Sequence, residues 1–181
     1  MWDLLRSISI TLDEQKISHM IVGSFAASLH GFSRATHDID LVIAVNADEL
    51  SSLLKALGDG YYYDHQTAFD ALTRHEMFNI IDKSSMDKID FWICGNDDFS
   101  QSQFSRRDHV DAGGYMVWVQ SAEDTILSKL LWHVISKSER QLEDVKSILI
   151  ANQDELDWDY LNQWAESLKI SELLNKQKED I

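Results

Sequence analysis

Apolar residues recur along the first fifteen positions at Leu4, Leu5, Ile8 and Leu12, a spacing that places them on one face of an amphipathic helix over Trp2 to Gln15. A short apolar run from His19 to Val22 then reads as a strand, and Gly23-Ser24 punctuates it. Phe25 to His30 suits a short helix that Gly31 ends. Asp38 to Val45 reads as a mostly apolar strand with two acids near its start, and Asn46 is placed to cap a helix over Asp48 to Leu57, closed by Gly58 and Gly60.

The aromatic segment Tyr61 to Tyr63 follows, then a short helix near Gln66 to Thr73 and strands at Met77 to Ile81 and Lys88 to Cys94. Asn96 to Phe104 reads as a loop with a helical turn. Arg107 to Val110 and Tyr115 to Val119, separated by Gly113-Gly114, read as a hairpin. The pattern changes at Ser121. Ser121-Ala-Glu-Asp124 reads as a capping box leading into a helix over Thr125 to Ile135, and Ser138-Glu-Arg-Gln141 as a second one leading into Leu142 to Ala151. Helical character continues through Leu156 to Leu168 and Ile170 to Lys178, so the chain divides into an α/β part, 1–120, and a helical part, 121–181.

Charge narrows the partners. A formal net charge of −15 repels phosphate backbones at long range, so a nucleic-acid-coating role lacks its basic face. The same acidity suits divalent cations. Met1 to Arg6 lacks the basic start and apolar run of a signal peptide, and no stretch approaches a membrane span, which predicts a cytoplasmic protein without a membrane partner. The lone Cys94 offers neither a disulfide partner nor a cysteine zinc site, and no zinc-type histidine spacing or Gly-x-Ser-x-Gly elbow is present.

The chemistry centres on acids in strands. Asp38-Ile39-Asp40 puts two carboxylates on one strand face, about 6 to 7 Å apart, while Ile39, Leu41 and Ile43 turn to the core. Burying acids is costly unless a cation pairs them, and Mg²⁺ takes one or two carboxylates together with substrate phosphates. Asp90, in another strand, could supply a third. Asp157-Trp158-Asp159 has the same spacing but opens a helix, where it reads as a cap. At Gly23-Ser24 a strand turns into a helix, and there a glycine lets backbone N–H groups and a hydroxyl approach a phosphate.

Together these residues resemble the nucleotidyltransferase fold of the polymerase-beta type, and within it the AbiEii-like bacterial proteins. Val22-Gly23-Ser24 followed by Asp38-Ile-Asp40 is similar to the general signature, with a long spacer; Arg34 and Thr36 look like the Arg-x-Thr before the acidic pair. Lys88-Ile-Asp90, Lys129 and Asp144 look like the group's later motifs, in the same order. The resemblance implies an α+β protein whose mixed β-sheet is flanked by helices, with the helical C-terminal part packed against it. It also implies metal-dependent transfer of a nucleoside monophosphate from a nucleoside triphosphate to an acceptor hydroxyl. Asp38, Asp40 and Asp90 would hold Mg²⁺ or Mn²⁺ and carry catalysis, while Gly23, Ser24, Arg34, Lys129 and Asp144 would serve the nucleotide.

The resemblance leaves the acceptor open among tRNA ends, proteins and small molecules, and implies a toxin–antitoxin or phage-defence setting with a cognate partner protein. Two other readings stand beside it: an antitoxin-like protein adenylyltransferase, and a binding module that keeps the fold without turnover. Leu130, Leu131, Trp132, Ile135, Trp158, Leu161 and Trp164 recur at helical spacing, which reads as core or partner surface rather than as a base-stacking platform.

Overall fold

The computed structural model describes residues 1–32 and 38–181. Its order is α1 (Trp2–Glu14), β1 (Ser18–Val22), α2 (Gly23–His30), β2 (Asp38–Ala44), α3 (Ala47–Leu57), β3 (Tyr61–Tyr62), α4 (His65–Arg74), β4 (Met77–Asp82) and β5 (Lys88–Ile93). There follow α5 (Asp98–Ser105), β6 (Asp108–Asp111), β7 (Met116–Val119), α6 (Ala122–Ser136), α7 (Glu139–Ala151), α8 (Trp158–Ser167) and α9 (Ser171–Glu179). The strands form one mixed sheet in the order β3-β4-β5-β2-β1-β7-β6, flanked by helices.

Local chemistry accounts for most boundaries. The Asn46 side chain accepts from the N–H groups of Asp48 and Glu49, and Glu49 returns the bond to the Asn46 N–H, a complete capping box that starts α3. Within that helix Leu50, Leu53, Leu54 and Leu57 fall on one stripe and are buried; shortening any one to alanine would cost about 2 to 5 kcal/mol. Asp157 caps α8 as its position suggested, accepting from the Tyr160 N–H.

Two local expectations change. The segment read as a loop with one helical turn is a full helix, α5, because Asp97 caps it by accepting from the N–H and hydroxyl of Ser100. The second capping box does not form. Ser138 makes no side-chain cap; its carbonyl accepts from the Gln141 N–H and its N–H is bound by the Ser136 hydroxyl, so the turn between α6 and α7 is held by main-chain and neighbouring groups instead.

Buried apolar side chains gather in two clusters. The first joins one sheet face, through Ile39, Leu41, Ile43, Ile80, Ile89 and Phe91, to the apolar stripes of α1, α3 and α4. The second is built by α6 to α9, with Ile126, Leu130, Ile148, Leu161 and Leu174 among its members. Helix α2 serves both, since Phe25 and Ala26 belong to the first and Ala27 to the second. The face of the central strands away from the first cluster carries Met20, Val22, Asp40, Val42 and Trp92, and these line a cavity.

Candidate active site

Strand register gathers the acids. β1 runs antiparallel to β2 with Val22 opposite Asp40; β2 runs parallel to β5 with Asp40 opposite Asp90 and Asp38 opposite Lys88. Residues paired across neighbouring strands share a sheet face, so Asp38, Asp40, Lys88 and Asp90 all stand on the side away from the first core.

The turn from β1 into α2 lies against them. Gly23 has φ +67°, a left-handed conformation that side chains resist, and a Cβ built on it would lie 2.4 Å from Asp40 Oδ2. The glycine therefore permits both the turn and the close approach of Asp40. No side chain caps α2 at Val22, so its first-turn N–H groups, with the Ser24 hydroxyl beside them, have the character of an anion site.

Lys129 enters from α6. Its ammonium is paired with Asp144 Oδ2 of α7 at 2.7 Å, both side chains are only 6% exposed, and it lines the same cavity as Gly23, Ser24 and Asp40. Asp144 holds the Lys129 ammonium and does not itself line the cavity. Arg34, together with Thr36, lies outside the described residues.

Burial and neighbouring charge act on Asp40. Burial is the main cause that raises the Asp40 carboxyl above the usual carboxylate range, and the charges of Asp90 and Asp38 add to it; a bond from Trp92 Nε1 at 3.5 Å and the charge of Lys129 pull the other way. Asp90 Oδ2 accepts from the Lys88 ammonium at 2.8 Å, and that bond is the main cause holding Lys88 above its usual range. The other oxygen, Asp90 Oδ1, is buried without a hydrogen-bond partner.

Among the described residues no three His, Cys, Asp or Glu side chains already surround a common point fit for a metal ion. The donors nevertheless suit one: an orphaned buried carboxylate oxygen on Asp90 stands in register with Asp40, whose charged form is short of compensation, and hard oxygen donors of this kind suit Mg²⁺ or Mn²⁺. Lys88 supplies positive charge to that group meanwhile.

The cavity, of about 590 Å³, extends from Gly23, Ser24, Asp40 and Lys129 across Val42 and Trp92 to the segment Cys94 to Asp97. Part of its lining is polar. Gln103 and Gln120 both donate to Ser128 Oγ at 2.9 Å, and His75 pairs with the Cys94 carbonyl through Nδ1 at 2.8 Å and with Asn96 through Nε2 at 2.9 Å. Behind that lining, fully buried Asp124 accepts from Tyr160 at 2.7 Å and from Ser121 at 2.9 Å, and the Arg106 guanidinium lies 3.8 Å over the Tyr160 ring, which braces α5 and α8 against α6.

Several cavity residues escaped the sequence reading. Trp132 was expected as core or partner surface, but it lines the cavity and stands edge-on to Trp92, with ring centroids 6.0 Å apart at 70°. The available signal was positional: Trp92 follows Asp90 by two on a strand, and Trp132 follows Lys129 by three on a helix, so each shares a face with a site residue.

Residues 3–180 match the model of a family described as nucleotidyltransferase of unknown function (DUF6036). No curated protein sequence matches the chain. Among solved structures the chain is similar to the antibiotic-resistance factor ANT(2'')-Ia in solution, with TM-score 0.63 and 14% identity over 98% of this chain and 96% of that one. It is also similar to ANT(2'')-Ia in complex with adenylyl-2''-tobramycin, with TM-score 0.55 and 16% identity over 82% and 87% of the two chains. A third is the lincomycin-bound lincosamide antibiotic adenylyltransferase LnuA, with TM-score 0.53 and 13% identity over 76% and 90%. At these identities the likeness is one of fold.

Proposed function

Since the chain belongs to this nucleotidyltransferase family, we propose that it moves a nucleoside monophosphate from a nucleoside triphosphate to an acceptor hydroxyl, with Mg²⁺ or Mn²⁺ held by Asp38, Asp40 and Asp90. One observation carries the reading: Asp40 and Asp90 stand side by side in register, with the Gly23 turn pressed against Asp40.

The acceptor oxygen attacks the α-phosphorus; a new P–O bond forms, the bond to the β-phosphate's bridging oxygen breaks, and pyrophosphate leaves. Asp90 accepts the proton of the acceptor hydroxyl. The N–H groups and hydroxyl at Gly23-Ser24 hold the terminal phosphates, and Lys129, fixed by Asp144, meets the negative charge of the triphosphate. A bound divalent ion would offset charge on the attacking and leaving oxygens.

The acceptor we favour is a small hydroxyl-bearing molecule. A net charge of −15 opposes a polyanion such as tRNA, and the polar wall of Gln103, Gln120 and Ser128 offers hydrogen bonds suited to hydroxyl or amide groups. The structural neighbours are an adenylyltransferase of lincosamide antibiotics and a factor that binds adenylyl-2''-tobramycin, which agrees with that choice.

Calorimetric titration of the four nucleoside triphosphates in the presence of Mn²⁺ tests the proposal, followed by transfer of α-labelled phosphate into small-molecule extracts. Binding of at least one triphosphate, lost in Asp40→Asn, is the expected result; no binding by the native protein would remove the reading and favour a binding module without turnover. The AbiEii-like kinship and its toxin setting belong to the same proposal. They require growth arrest on induced expression that Asp40→Asn relieves.

A further inference from the structure

A tryptophan half in solvent on a core-building helix calls for an explanation, because burying its ring would gain more than leaving it open. Trp132 is 47% exposed and is one of the residues that line the cavity, whereas the still more exposed Ile135, on the same helix, does not line it. Three features join at this point. Trp132 stands one helical turn beyond Lys129, the cation that faces the acids, so the two project side by side from α6. Trp92 meets Trp132 edge-on and is itself tied to Asp40 through its indole N–H. Met20 and Val42 supply an apolar floor next to Trp92.

The fourth feature is polar. Gln141, on α7, lines the same cavity, and its side-chain oxygen is buried without a hydrogen-bond partner. A buried acceptor in this state costs stability until a donor reaches it. Neither a stacked core nor a protein-binding patch explains a flat open indole, an apolar floor and a waiting acceptor together.

We propose that Trp132, backed by Trp92, is the platform on which the base of the nucleoside triphosphate stacks, and that Gln141 accepts an N–H from the edge of that base. The inference deepens the transferase reading, on which it rests, by assigning the nucleoside half of the substrate. The phosphates lie between Gly23-Ser24 and Lys129, and the base lies one helical turn along α6. The hydrogen-bonding wall at Gln103, Gln120 and Ser128 is thereby left to the acceptor.

Binding isotherms with Mn²⁺ decide it, using each nucleoside triphosphate and, as a probe without a base, inorganic tripolyphosphate. Trp132→Ala is expected to weaken the preferred nucleoside triphosphate about tenfold or more, the scale of one base–aromatic contact, while tripolyphosphate binding stays within about twofold. Trp132→Phe, which keeps an aromatic face, should restore most of the affinity. Gln141→Leu should narrow the spread of affinities among the four bases. Native affinity for every nucleoside triphosphate in Trp132→Ala would overturn the platform, as would an equal loss of tripolyphosphate, which would mark a general disturbance of the site. Absence of any triphosphate binding by the native protein is a separate outcome that removes the transferase reading and this one with it.

Discussion

Replacing Gly23 by alanine perturbs the centre of the site in a way that can be dissected. Its φ of +67° lies where an alanine costs about 1 to 2 kcal/mol, part of which is offset by the smaller freedom of an unfolded alanine. The new methyl would also meet Asp40 Oδ2 at 2.4 Å, Cγ at 3.0 Å and Cβ at 3.1 Å, so the whole carboxylate side chain must leave its place. An off-rotamer side chain adds about 0.5 to 1.5 kcal/mol. Gly113 is the control: its φ is +78°, yet a Cβ there meets nothing within 4 Å.

Gly113→Ala should therefore lose about 1 kcal/mol and bind nucleotide normally, while Gly23→Ala should lose roughly 2 kcal/mol. A displacement of the reacting groups by about 1 Å can cost about a hundredfold in rate, and metal-dependent nucleotide affinity should fall with it. Urea unfolding reads the first quantity and calorimetry with Mn²⁺ the second. Equal stability losses in the two variants, with native Mn²⁺-dependent nucleotide affinity in Gly23→Ala, would refute the contact and the role given to Asp40.

Four further outcomes follow from the same geometry. Asp40 has a folded pKa above its unfolded one, so its contribution favours the folded state at acid pH and is lost as pH rises from the ordinary carboxylate value through the raised one; Asp40→Asn should melt higher than the native protein at neutral pH without metal and lose the stabilisation that Mn²⁺ confers. Lys129→Met strands a buried carboxylate and should cost about 3 to 5 kcal/mol in urea unfolding, with part recovered in the Lys129→Met, Asp144→Asn double variant. Lys88→Met removes the cation from Asp90 and should tighten Mn²⁺ binding measured by electron paramagnetic resonance; unchanged affinity would show that the pair does not compete with metal. Tyr160→Phe leaves Asp124 short of a donor and should lower stability by about 1 to 3 kcal/mol.

How far the sequence could be read depended on the range of the interactions involved. The strand over Asp38 to Ala44 and the Asn46 cap are consequences of neighbouring residues, and both were legible. The side-by-side placement of Asp40 and Asp90 was not derivable from spacing, because β2 and β5 pair in parallel across the intervening α3, β3, α4 and β4, and only the family resemblance linked them. The ion pair of Lys129 with Asp144 likewise joins two helices, a contact that spacing along the chain does not specify. That Trp132 lines the cavity was not legible, for a physical reason: helical periodicity reports which residues share a face, and says nothing of whether that face meets a core or a hollow. At Ser138 the capping motif was present in letters, but the tight turn from α6 drew its main-chain groups into other bonds.

Helix α2 is short, begins at the Gly23 turn, and is rooted in both apolar clusters at once. Rotating the sheet away from the C-terminal helices would pull Phe25 or Ala27 out of its packing, so a wide swing of one against the other is unfavourable. The spacing across the cavity between Ser24 and Lys129 is thereby tied to apolar packing on both sides of α2.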